Sequence, residues 1–174
     1  YYTGMRPGEL CMLRAVDVDM GGRIWIYRPT QHKTRHLNHQ RAICIGPKGQ
    51  AVLRRVMPQQ LQAYVFSPRR AMAERYAARK THRRRPALPP RTERRISDRY
   101  VPAQFAKAIK YICAAHDIPA WHPNQLRHNA ATRIRREYGL EAAQVVLGHA
   151  RADVTQVYAE RDMARAIQVM EEAG

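Results

Sequence analysis

The sequence has few acidic residues and no long apolar run, and each of these absences excludes some classes of protein. Aspartate and glutamate number 14 against 31 lysines and arginines in 174 residues. No apolar stretch approaches the roughly 20 residues that span a bilayer. The opening residues also lack the charged and apolar segments of a secretion signal. We therefore expect a cytoplasmic protein that does not contact a membrane.

The cysteines and glycines form none of the closely spaced patterns that hold metals or nucleotides. Cys11, Cys44 and Cys113 are odd in number and far apart, without a CxxC pair. The "GPKG" at residues 46–49 lacks the remainder of a P-loop motif. Since no catalytic triad or metal cluster stands out either, we expect neither metal nor cofactor.

The charge of the chain is strongly positive. The formal net charge is +17 and the isoelectric point is near 10.7. Such a balance points to a polyanionic partner, most often nucleic acid. Binding to an anionic membrane would call for a basic amphipathic helix with bulky apolar anchors or for a lipidation signal. The sequence contains neither.

The pattern of apolar residues predicts one mostly helical α+β domain over residues 1–174. A helix from Pro7 to about Ala15 is followed by three short antiparallel strands, one around 24–27 and the last over Ala42 to Ile45, with another between them. Further helices are expected at 47–57, from 102, from 123 to the stop at Gly139, and near 140–147, 151–158 and 163–172. "YYTG" is typical of a last helical turn, so we expect a fragment of a longer chain.

Residues 69–99 differ from the rest of the chain. They carry 12 lysines and arginines and almost no apolar period, which predicts a basic insertion, either a loop or with a helix at its start. Contact with DNA and a solvated loop are the two alternatives, and we favour DNA. The DNA-binding candidates are Arg69, Arg70, Arg79, Lys80, Arg83, Arg84 and Arg85.

Several polar residues could carry chemistry, although each has an ordinary explanation. Arg127 borders an apolar stripe of Leu126, Ala130 and Ile134, where an arginine needs an anion, either an acidic side chain or a phosphate. Tyr158 follows Val154 by four residues and shares a face with apolar neighbours, so taken alone it is typical of a core.

The motifs gain meaning from their order. "TGMRPGEL", "HKT", "LRH", "LGH" and, nine residues after the histidine, "VYAE" follow one another along the chain. This series resembles the tyrosine recombinases of the phage-integrase family, and the resemblance covers the chain apart from 69–99.

The resemblance implies an integrase-like catalytic domain with a defined set of site residues. Two arginines hold the scissile phosphate, a hairpin lysine and a histidine accompany them, and a tyrosine is the nucleophile. In that order these are Arg6 and Arg127, Lys33, His149 and Tyr158. Glu9 matches the acidic residue that supports the first arginine.

What the resemblance implies about function is site-specific recombination of double-stranded DNA, as in integration or excision. The tyrosine joins a DNA 3′ phosphate and frees a 5′ hydroxyl without metal or nucleotide. The resemblance further implies that this catalytic domain is part of a longer chain that also has an amino-terminal DNA-clamping domain. Two alternatives stay open: a DNA-binding module that keeps the fold without cutting, and a type IB topoisomerase.

Two further features bear on this interpretation. Family members usually have histidine three residues before the second arginine, where this chain has Asn124. An amide cannot accept a proton at neutral pH, so we interpret Asn124 as a positioning residue. The apolar stripe of residues 163–172 predicts docking on a neighbouring subunit in a homo-oligomer on DNA, or packing on its own domain.

Overall fold

The computed structural model describes residues 1–31, 41–78, 96–148 and 156–174, with the backbone alone at 156–162 and 164. Its elements in chain order are α1 (Pro7–Cys11), a 3₁₀ turn (Ala15–Asp17), β1 (Val18–Asp19), β2 (Trp25–Tyr27), β3 (Ile43–Ile45), α2 (Pro47–Val56), α3 (Pro68–Ala77), α4 (Pro102–Ala115), α5 (Pro123–Leu147) and α6 (Gln156–Ala173). The expected mostly helical α+β class with a small three-stranded antiparallel sheet is confirmed.

Prolines set where the helices begin. Each helix from α1 to α5 has proline at its first position. Proline suits this position because its fixed φ is already helical and its missing N–H has no acceptor there in any helix. Helix α1 ends at Cys11, earlier than the predicted end near Ala15.

The strands form an antiparallel sheet in the order β1-β2-β3. Val18 lies opposite Tyr27, and Trp25 lies opposite Ile45. Strand β1 was not predicted, and the strand expected between β2 and β3 falls largely on residues 32–40, outside the described ranges. Strand β3 is buried along its whole length.

Apolar side chains cover both faces of the sheet. One cluster joins Leu13, Val65 and Leu53 of α2 to the buried strand residues Tyr27, Ile43 and Ile45. The other joins the sheet to α5 and α6. Its buried members are Ile24, Cys44, Ile134, Ala142, Ala143, Val146, Leu147, Ala166, Val169, Met170 and Ala173. The sheet therefore connects the segment around α1 to the two carboxyl-terminal helices.

Gly139 interrupts α5 where the sequence predicted a stop. Its φ of 88° and ψ of 172° are non-helical, and the chain then resumes a helix to Leu147. Gly148 ends that run with a φ of 62°, a left-handed conformation that glycine adopts at little cost. At Gly148 the end of α5 lies close to Arg41, two residues before the start of β3.

The last helix corrects one expectation and bears on another. Helices near 151–158 and 163–172 were predicted separately, but α6 runs unbroken from Gln156, because residues 159–162 contain no glycine or proline to end it. Its apolar stripe packs on this chain's own core, where Met170 is fully buried, which is one of the two alternatives that the sequence left open. None of the helices in the described ranges is long and apolar enough to cross a bilayer.

Candidate active site

A buried carboxylate, that of Glu9, receives donors from two parts of the chain. Glu9 is 2% exposed in the first turn of α1. Its Oε2 accepts a hydrogen bond from the backbone N–H of Arg6 at 2.6 Å, and its Oε1 accepts one from Nη1 of Arg6 at 3.1 Å. The Nε of Arg41 also donates to Oε1 at 3.3 Å. One carboxylate therefore holds two guanidinium groups.

Arg41 is the site residue that the sequence analysis missed. It stands two residues before β3, and its side chain is 6% exposed. Besides the bond to Glu9, its Nη1 donates to the carbonyl of Ala42 at 3.4 Å, while its Nη2 is buried and has no hydrogen-bond partner in the described part of the chain. The available signal was its place directly before the predicted strand Ala42 to Ile45, which contains no polar residue.

Arg127 connects the segment before α1 to the end of α5. Its Nη1 donates to the carbonyl of Gly4 at 2.6 Å, and its Nη2 donates to the carbonyl of Leu147 at 2.8 Å. Gly4 has a φ of 62°, which glycine allows, and it precedes Arg6 by two residues. These contacts place Arg127, which is 7% exposed, beside the Arg6 segment.

The three guanidinium groups influence one another electrostatically. Burial, followed by the positive charges of Arg6 and Arg41, lowers the pKa of Arg127 to about 10, and Glu9 opposes this shift. Burial also lowers the pKa of Arg41, again against the charge of Glu9. All three arginines are charged at neutral pH.

We call Arg6, Arg41, Arg127 and Glu9 the arginine cluster. Three positive charges against one negative charge leave it a net charge of +2. The side chain of Arg6 is the most open of its guanidinium groups at 27% exposed, so the cluster faces solvent at Arg6. An arrangement of this kind binds an anion, and guanidinium geometry suits phosphate oxygens.

Gly148 adjoins the arginine cluster at the end of α5. A Cβ placed on Gly148 would lie 2.9 Å from Cζ of Arg41, closer than side-chain atoms approach one another. Glycine suits this position because of its φ of 62° and because an added Cβ would force the guanidinium group of Arg41 to shift. The contact links the cluster to the "LGH" motif.

Asn124 lies in the first turn of α5 and is partly exposed. Its backbone N–H donates to Nδ1 of His122, which caps the helix. Its side-chain Nδ2 is 3.2 Å from Nε2 of His128, one helical turn later. Asn124 is thus oriented by a histidine on the exposed side of the helix.

The remaining predicted residues are only partly described. Lys33, His149 and the insertion residues Arg79, Lys80, Arg83, Arg84 and Arg85 lie outside the described ranges. Tyr158 belongs to the first turn of α6, where the structure describes the backbone alone.

Of the DNA-binding candidates in the insertion, Arg69 and Arg70 are described, and they lie at the start of α3 in different surroundings. Arg69 is 65% exposed and pairs with Asp98 at 3.1 Å. Arg70 is held by the protein itself, since its Nη2 donates to the carbonyls of Val56 and Val65. Of the two, Arg69 presents its charge to solvent.

Comparison with known proteins places the chain in a family. The sequence profile of the phage integrase family matches residues 1–165. This chain belongs to the phage integrase family. The resemblance found in the five motifs is thereby confirmed.

Curated relatives of this integrase-family chain carry one name. Tyrosine recombinase XerC of Bacillus pumilus is 27% identical over 164 residues, which cover 91% of this chain and 46% of that protein. The XerC of Thermodesulfovibrio yellowstonii is 26% identical over 174 residues, or 99% of this chain and 51% of that protein. The XerC of Yersinia pestis is 37% identical over 84 residues, or 47% of this chain and 26% of that protein.

These matches have two limits. The chain spans about half the length of the two relatives that it matches over most of its own length. No solved structure matches it.

Proposed function

We propose that this chain is the catalytic domain of a tyrosine recombinase that cleaves and rejoins double-stranded DNA at specific sites. The arginine cluster carries the proposal. Arg6 and Arg127, which come from motifs 121 residues apart in the sequence, lie in one electrostatic group around Glu9. The family motifs assign these same two arginines to the scissile phosphate.

The charge of the cluster favours the transition state of phosphoryl transfer over the ground state. A DNA phosphodiester carries one negative charge, and the five-coordinate phosphorus of the transition state carries close to two. A cluster of net charge +2 interacts more strongly with the second form, and such differential stabilisation accelerates the reaction. Because the guanidinium groups are held by Glu9, Gly4 and Leu147, they need not reorganise as the charge grows.

The proposed step exchanges one phosphorus–oxygen bond for another. The phenolic oxygen of Tyr158 attacks phosphorus and forms the 3′-phosphotyrosyl bond, while the bond to the 5′ oxygen breaks. Lys33 gives a proton to the departing 5′ oxygen, and the phenolic proton passes to His149, water or the substrate. Attack by a 5′ hydroxyl on the phosphotyrosyl bond reverses the step and rejoins the strand.

The DNA is held mainly through its phosphates. The net charge of +17 and the exposed Arg69 supply sequence-independent contacts, and the basic residues of 69–99 other than Arg70 add to them. We expect the affinity to fall steeply with salt as counterions are released. We further propose that several copies of the chain act together on DNA.

The test uses the full-length protein and nicked duplexes drawn from DNA flanking its own gene. A nicked duplex traps the covalent product because the short fragment between the cleavage site and the nick, which carries the 5′ hydroxyl, diffuses away. A denaturing gel should show a protein–DNA species for the wild type and none for Tyr158→Phe, with equal DNA binding by both. Binding without an adduct on any duplex would indicate a non-cutting module. Relaxation of supercoiled plasmids by a monomer, without sequence preference, would indicate a type IB topoisomerase.

A further inference from the structure

Arg41 has no role in the family motifs, yet it donates to Oε1 of Glu9, the same oxygen that accepts a hydrogen bond from the Arg6 side chain. We propose that Arg41 is a positioning residue of the phosphate site, which holds Glu9 in place for Arg6 and supplies the charge that makes the cluster net +2. The proposal rests on the proposed function of this site as a binder of the scissile phosphate.

The burial of Arg41 is not explained by packing alone. Its side chain is 6% exposed, it shares its acidic partner with Arg6, and its Nη2 has no hydrogen-bond partner in the described residues. Burying a guanidinium group is costly unless every donor is paired, and an apolar side chain of similar volume fills such a space more favourably. The charge at this position therefore has a use beyond stability.

That use follows from the charge of Glu9. If Glu9 faced Arg6 alone, the carboxylate would neutralise the guanidinium group that is most open to DNA. With Arg41 on the same oxygen, Oε1, the negative charge of Glu9 is compensated from the protein side. Arg6 then keeps its orientation through Glu9 and its charge for the phosphate.

Arg41 acts on the site without touching DNA. The residue is 8% exposed and its orphan Nη2 is inaccessible to solvent, so a phosphate cannot bond to it directly. Its guanidinium group also fills the space beside Gly148, which directly precedes His149 in the sequence. Arg41 thus joins the start of β3 to both the Arg6 segment and the end of α5.

The experiment is single-turnover cleavage of the nicked duplex by the full-length protein, with the wild type, Arg41→Gln and Arg41→Lys. Each is assayed with an ordinary scissile phosphate and with an uncharged methylphosphonate at that position. We expect Arg41→Gln to cleave the phosphate about 10- to 100-fold more slowly, the range typical of residues that orient a contacting group. Arg41→Lys should recover part of the rate because it keeps the charge. DNA affinity and its salt dependence should stay within about two-fold of wild type, because Arg41 is buried.

The methylphosphonate separates charge from packing. If Arg41 acts through its charge, the penalty of Arg41→Gln should shrink on the uncharged substrate, since less negative charge develops there. The matched control is Arg133→Gln, because Arg133 is also mostly buried and its Nε and Nη2 have no hydrogen-bond partner among the described residues. It lies away from Glu9, since it packs on the ring of Tyr1, donates to the carbonyl of Ala173 and pairs with Glu137. Arg133→Gln should lower the melting temperature and leave cleavage unchanged.

Three results would overturn the inference while the wild type still cleaves: an unchanged rate in Arg41→Gln, an equal penalty on both substrates, or a lysine variant no better than glutamine. If Arg41→Gln does not fold, Arg41→Lys carries the comparison of the two substrates. A wild type that forms no adduct would instead refute the proposed function, and this inference with it.

Discussion

Glu9 is the side chain on which the geometry of the candidate site depends most. It is buried, and Arg6 and Arg41 both donate to it. Glu9→Gln keeps the shape but leaves Arg41 buried beside a neutral group. We expect the free energy of unfolding, measured in urea, to fall by about 3–5 kcal/mol, as for other broken buried ion pairs.

The control for that substitution is an exposed pair. Asp98 faces Arg69 with both side chains about two-thirds exposed, and Asp98→Asn should change the free energy of unfolding by less than about 1 kcal/mol. Equal, small losses in both variants would show that Glu9 does not compensate a buried charge.

Asn124 allows a direct test of the missing histidine. Asn124→His restores the residue that family members usually carry, in a first turn that already tolerates His122 and His128 nearby. If relatives use this histidine for proton transfer, the variant should cleave faster by about 10-fold or more and gain a pH-dependent step near 6.5. The rate of adduct formation between about pH 5 and 8 measures both. A slower variant with a flat profile would mean that the amide itself is required at this position.

The end of α5 and the start of β3 are coupled through one close contact. Gly148→Ala places a methyl group against Arg41 and forces a left-handed backbone, so we expect a loss of more than about 2 kcal/mol in the free energy of unfolding. In an Arg41→Ala background the space is open, and only the backbone cost of about 1–2 kcal/mol should remain. The double-mutant cycle in urea measures the difference as a coupling energy. A coupling near zero would place Arg41 away from Gly148 in solution.

Most elements could be predicted from local signals, whereas the contacts of the site could not. Prolines marked the starts of the helices, and Gly139 marked the interruption of α5. Strand β1 was missed because it has only two residues, too few to show the alternation of apolar and polar residues that is typical of a strand. Its hydrogen bonds to β2 define it. The break expected before residue 163 was wrong because amphipathic spacing alone does not end a helix.

The site residues show the same division between local and distant partners. The pair of Arg6 and Glu9 was predictable, since residues three apart in a first turn meet. Arg41 reaches Glu9 across 32 residues, and Arg127 reaches Gly4 across 123 residues. No periodic pattern in a sequence encodes such distances. The sequence therefore predicted an acidic side chain or a phosphate as the partner of Arg127, and it did not predict the backbone carbonyls of Gly4 and Leu147.

The domain as a whole has more positive charge than its own acids can compensate. The net charge of the chain is +17, and the arginine cluster contributes a local charge of +2 to it. Because an anion that binds at Arg6 and Arg127 binds the folded state only, it should stabilise the fold. We expect sulfate to raise the melting temperature by several degrees more than chloride at equal ionic strength. Since the pKa of Arg127 is about 10, this effect should not vary between about pH 6 and 8.

Sulfate also stabilises proteins because it is excluded from their surface. A variant is therefore needed to separate this general effect from stabilisation by sulfate bound at the arginine cluster. Arg6→Gln removes the exposed guanidinium group of the cluster and leaves the remaining surface unchanged. The extra stabilisation by sulfate should then disappear and the general effect should remain. An identical sulfate effect in both proteins would mean that the cluster does not bind anions.

The most direct measurement is mass mapping of the covalent product from the full-length protein and a nicked duplex. The account predicts a nucleotide on the peptide that contains Tyr158, attached through a 3′ phosphate, together with a DNA strand that ends in a free 5′ hydroxyl. It also predicts that this product forms far more slowly in Arg127→Lys, although DNA still binds. A nucleotide on another residue, a 5′-phosphate linkage, or a rate that does not depend on Arg127 would contradict the account.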